Sequence, residues 1–122
     1  MSYIAYELDE VSRNKLLAIF PPKFADFIGH HVTWAFGVGS DVPLPPVTDI
    51  RVIGYLSDDS LECLVVEVGG THVREDGRTY HITWSLDRDK GRKPAESNFL
   101  LGASTFSRIS PVEIHAIPKH FK

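Results

Sequence analysis

Two apolar runs, Asp49 to Ser57 and Leu61 to Val68, are separated only by Asp58-Asp59-Ser60. Both are dense in Val, Ile and Leu, which suit a pleated surface, and Asp and Ser at the junction bond their own backbone to reverse the chain. The pair predicts two strands joined by a hairpin turn, with Gly69-Gly70 ending the second.

The flanking sequence continues in short elements. Ser2 to Leu8 alternates, with Ile4, Tyr6 and Leu8 on one face, as a strand with one buried side does. Asp9 then reads as an N-cap. Val11, Leu16, Leu17 and Phe20 recur at helical spacing over Glu10 to Phe20, and Pro21-Pro22 cannot continue a helix. His30 to Val38 is a β-branched and aromatic run between Gly29 and Gly39, and the proline-rich stretch Ser40 to Thr48 is a loop. Thr71 to Arg74 and Tyr80 to Leu86 read as strands around Glu75-Asp76-Gly77-Arg78, because Asp-Gly is a strong hairpin signal. Asp87 to Pro94 is a charged connection, Ala95 to Leu101 a short helix and Ser110 to Pro118 a last strand. The expectation is one α+β domain over residues 1–122, with mostly antiparallel sheet forming a cleft and one or two helices packed outside.

Composition narrows the function classes. Thirteen Lys and Arg against sixteen Asp and Glu give a net charge of −3, so no global field gathers phosphates and an anionic ligand needs a local site. The single cysteine, Cys63, cannot form an intrachain disulfide and reads as a small buried hydrophobe. No apolar run approaches the roughly 18 residues of a membrane span, and the opening MSYIAYELDE is acidic rather than basic and apolar. A cytoplasmic protein without a membrane partner is expected. His72, His115 and His120 lack metal-ligand spacing, so no metal role is assigned to them.

The chemistry lies in a short internal echo. His31-Val32-Thr33-Trp34 and His81-Ile82-Thr83-Trp84 repeat one pattern, fifty residues apart. Side chains alternate along a strand, so each copy presents an imidazole and a hydroxyl to one face. Two such strands side by side would cradle a phosphodiester. One imidazole can take the nucleophile's proton while the other protonates the leaving oxygen, since histidine titrates near neutrality. By the same alternation His30 should face away from His31, in structural or surface duty. Trp34, Trp84, Phe36 and Tyr80 read as core residues.

With HVTW and HITW the sequence resembles the two-histidine (2H) phosphoesterases, which carry paired His-x-Thr or His-x-Ser motifs on core strands. Lys93 to Asn98, KPAESN, is similar to the small 2H domain associated with Swiss Army Knife RNA repair proteins. The resemblance implies a bilobal α+β fold, reduced here by the short chain. It also implies metal-independent, cofactor-free action on an RNA-type or nucleotide phosphodiester: a 2′,3′-cyclic phosphate, a 2′,5′ linkage or a cyclic nucleotide. His31 and His81 would be the general acid and base, and Thr33 and Thr83 the phosphate ligands. Lys93, Ser97 and Asn98, at the start of the short helix, are further candidates for holding the phosphate. The implied partners are an RNA end or small nucleotide and a separate RNA-repair enzyme, with the chain itself a monomer. The alternatives are a catalytically silent nucleotide or RNA-end binding module, and an interaction domain in which the echo is coincidence.

Overall fold

In the computed structural model, which describes residues 2–122, the order is β1 (Tyr3–Leu8), α1 (Glu10–Ile19), β2 (Asp26–Phe27), β3 (His31–Phe36), β4 (Ile50–Ser57), β5 (Leu61–Val68), β6 (His81–Leu86), a 3-10 turn at Arg88–Lys90, α2 (Glu96–Ala103), β7 (Ser107–Ile114) and β8 (Ala116–Phe121). The strands form two open antiparallel sheets, a small one ordered β3-β1-β8 and a large one ordered β2-β6-β5-β4-β7. The fold is therefore α+β. The expected hairpin lies within the large sheet, where Asp58 Oδ1 accepts from the Ser60 and Leu61 amides at 3.0 and 2.9 Å.

The two sheets share one core. Tyr6, Leu8 and Val32 of the small sheet meet Leu64, Val66, Ile82 and Trp84 of the large one, and Leu16 of α1 is fully buried with them. Asp9 caps α1 by accepting from the Ser12 amide at 2.7 Å. The helix also ties down two places where the chain passes between sheets. Arg13 Nε donates to the Gly29 carbonyl at 3.0 Å, between β2 and β3, and the His115 amide, between β7 and β8, donates to Ser12 Oγ at 2.7 Å. Gly29 is held at φ +45, and a Cβ there would stand 2.2 Å from the Phe27 ring.

Two expectations change, and one strand goes unread. Ser110 to Pro118 is not one strand, because the chain breaks at His115 and its halves join different sheets. Thr71 to Arg74 is not a strand either: only the isolated bridges Val68 to Thr71 and Val73 to Thr79 form there, leaving a turn in which the Gly77 amide bonds the Arg74 carbonyl. The two-residue strand β2 carried no alternating pattern long enough to detect, and it is fixed by pairing with Ser85 and Leu86.

Candidate active site

β3 pairs with β1 so that Glu7 lies opposite His31, Ala5 opposite Thr33 and Tyr3 opposite Phe36. The register skips Trp34, a one-residue bulge. His31 and Thr33 face away from Val32, which enters the core, and the bulge returns Phe36 to their face. Phe36 is thus not a core residue: it is 58% exposed and stacks on Tyr3 with ring centroids 5.9 Å apart. Trp34 packs against the core from the other side.

On β6, His81 and Thr83 share one face while Ile82 and Trp84 fill the core. Trp84 Nε1 donates to the Phe20 carbonyl at 2.8 Å, which satisfies its only polar atom. His81 Nδ1 lies 2.8 Å from the Thr79 carbonyl. A carbonyl only accepts, so Nδ1 carries the proton in the neutral ring and Nε2 holds the lone pair. Thr83 Oγ1 donates to the Pro94 carbonyl at 3.2 Å and lies 2.8 Å from Ser97 Oγ, which fastens the start of α2 to β6.

These two faces border one cleft of about 380 Å³, lined by His31, Thr33, His81 and Thr83 together with Tyr3, Phe36 and Asn98. Arg74 and Arg78, from the turn before β6, line it as well. Arg74 is only 4% exposed. Its Nε and Nη2 grip Asp76 at 3.0 and 2.7 Å, and its Nη1 reaches the Thr33 carbonyl on the other sheet at 3.5 Å. It is a strap across the cleft. Neither arginine belongs to the repeated motif; the signal that marks them is an arginine on each side of an Asp-Gly turn.

His30 departs from expectation. It precedes β3 rather than lying in it, so strand alternation does not govern it, and its ring turns into the cleft beside His31. The two Nδ1 atoms are 2.9 Å apart, and His30 Nε2 is 3.4 Å from Glu7 Oε1.

Both motif imidazoles resist protonation. Burial, reinforced by His30 and His81 and opposed by Glu7, lowers His31 to about 4. Burial also lowers His81, with Arg74 and Arg78 adding to the effect and the Thr79 carbonyl opposing it. At pH 7 the cleft therefore holds neutral imidazoles beside two guanidinium groups, an environment suited to an anion.

The remaining candidates separate. Asn98 lines the cleft, and its Oδ1 is buried without a partner among the described residues. Ser97 is fully buried beneath Thr83, and exposed Lys93 does not line the cleft. The first amides of α2 bond back to Lys93, Pro94 and Ala95, so the helix start offers them to no ligand. Arg92 of the charged connection is tied to Asp58 at 2.8 Å. Cys63 is buried, and its thiol is pushed up to about 12, chiefly by burial. Among the described residues no three His, Cys, Asp or Glu side chains converge as a metal site, and no helix is long and apolar enough to cross a membrane. No family model matches the sequence, and neither the curated proteins nor the solved structures contain a match to it.

Proposed function

We propose that this protein is a metal-independent phosphoesterase of the two-histidine kind, acting on an RNA-type or nucleotide phosphodiester. One observation carries the reading: the two His-x-Thr pairs, distant in sequence and on different sheets, border one cleft. His81 presents Nε2 because Nδ1 is tied to the Thr79 carbonyl. The exposed face of Phe36, stacked on Tyr3 next to His31, suits the flat base of a nucleotide.

A cyclic phosphate would be opened by water. Phosphate binding adds negative charge beside both rings and raises their affinity for protons, so one becomes cationic. The neutral ring takes a proton from water as its oxygen attacks phosphorus. The cationic ring gives its proton to the departing ribose oxygen, leaving a phosphomonoester. Arg74, Arg78 and Thr33 offset the charge on the nonbridging oxygens.

The test is incubation, with chelator present, with a 2′,3′-cyclic nucleotide, a 2′,5′-linked dinucleotide, a cyclic dinucleotide and an ADP-ribose cyclic phosphate, with products read by mass. Turnover of at least one is expected, and His31→Ala and His81→Ala should each lower it by about 10² to 10⁴. Nucleotide binding without turnover would favour the silent binding module. Neither binding nor turnover would overturn both readings.

A further inference from the structure

Two histidines in sequence rarely point the same way from extended chain, yet His30 and His31 meet nitrogen to nitrogen at 2.9 Å. Two imidazoles at that distance share one proton, and the surroundings decide which ring owns it. Behind His30 stands Glu7, which pairs through Oε1 with His30 Nε2 at 3.4 Å and through Oε2 with Lys119 Nζ at 2.5 Å. The Lys119 ammonium holds the Glu7 carboxyl below the usual carboxylate range, so Glu7 is an acceptor only. A carboxylate facing Nε2 places the His30 proton there and leaves the His30 lone pair on Nδ1. His31 must then donate from its own Nδ1, and its lone pair falls on Nε2.

We propose that Glu7 and His30 are positioning residues for His31, a carboxylate–imidazole–imidazole chain that fixes the His31 proton on Nδ1 and aims an unprotonated Nε2 at the cleft. The catalytic part of this inference rests on the phosphoesterase reading; the tautomer does not. The chain does for His31 what the Thr79 carbonyl does for His81, so both imidazoles offer the same nitrogen. It also gives His31 a route to bear charge: when Nε2 takes a proton, the Nδ1–H already points along a path ending at a carboxylate. The other groups facing His31 are the Tyr3 and Phe121 rings, at 5.5 and 5.9 Å, and, across the cleft, His81 with Arg74 and Arg78. None of these supplies an acceptor to His31 Nδ1.

Long-range proton–nitrogen correlation spectra of the histidine-labelled protein at pH 8 read the tautomers directly, whether or not any substrate is known. The expected spectrum shows His31 and His81 both protonated at Nδ1. In His30→Ala the His31 proton should move to Nε2, the position favoured in a free side chain, while His81 stays unchanged. In His30→Asn, whose Oδ1 stands near the lost acceptor, the Nδ1 proton should return. With a turned-over substrate, His30→Ala should lower kcat by about ten- to a hundredfold with little change in KM, and His30→Asn should recover part of it. A wild-type His31 protonated at Nε2, or a His31 tautomer indifferent to His30→Ala, overturns the chain. If the tautomers behave as expected but no phosphodiester is cleaved, the phosphoesterase reading fails and the chain stands.

Discussion

At the scale of single residues, the two threonines of the repeated motif are not equivalent. Thr83 commits its hydroxyl to the Pro94 carbonyl and Ser97, whereas Thr33 lines the cleft beside His31 and, among the described residues, has no such anchor. Thr33→Ala should therefore weaken binding of an anionic substrate analogue by about ten- to a hundredfold, the worth of one hydrogen bond to a charged group, with the melting temperature nearly unchanged. Thr83→Ala should lower stability by about 1–3 kcal/mol, because Ser97 is left buried with a lost partner. Calorimetric titration and thermal melts on both variants check this, and equal melting temperatures would contradict it. The sequence marked His31, Thr33, His81 and Thr83 because repetition needs no knowledge of distance. It misplaced His30 and Phe36 because alternation holds only inside an unbroken strand: His30 lies before β3 and Phe36 beyond the Trp34 bulge. Arg74 and Arg78 lie outside the repeat, and the burial of Arg74 depends on what folds over it, so only their places on either side of the Asp-Gly turn could have pointed to them.

At the scale of elements, local pattern made most of the fold legible: alternation for β1, helical spacing and a cap for α1, and β-branched or apolar runs bounded by turn residues for β3, β4, β5 and β6. The two-residue strand β2 and the break at His115 are decided by partners far along the chain. Gly29 shows how much depends on such a join. Its left-handed backbone and the nearby Phe27 and Trp84 rings leave no room for a side chain, and its carbonyl anchors Arg13. Gly29→Ala should cost more than about 1 kcal/mol in denaturant unfolding and disturb the His30–His31 contact as well. An alanine variant as stable as the parent would show that the join relaxes freely. Asp9→Ala, which removes the α1 cap, should lower the midpoint of denaturant unfolding with no effect on the cleft.

For the whole molecule, the neutral imidazoles set a pH limit. Both are depressed in the fold, His31 to about 4, from an ordinary value of 6.5. Above 6.5 they cost nothing; as pH falls below it the unfolded chain binds protons that the fold refuses, so stability declines from pH 6.5 toward 4. Asp76, held at about 2 beside Arg74, acts lower: its contribution is present above 3.8 and lost as pH falls toward 2. Melts from pH 7 to 4 should show the decline, and His31→Gln should flatten it; an unchanged slope in that variant would refute the assignment. The pairing of β1 with β8 places Tyr3 opposite Phe121, while β4, β5 and β6 follow one another as neighbours. Closing the first contact costs more chain entropy than closing the second, so β4, β5 and β6 should pair early and β8 should join β1 late. Pulse-labelled amide exchange during refolding should protect Leu64 and Val66 before Asp9, whose amide bonds the His115 carbonyl at the entry to β8. His81 would then be in place on its sheet before Lys119 reaches Glu7, so the carboxylate behind His30 is secured only when the last strand has returned to the first.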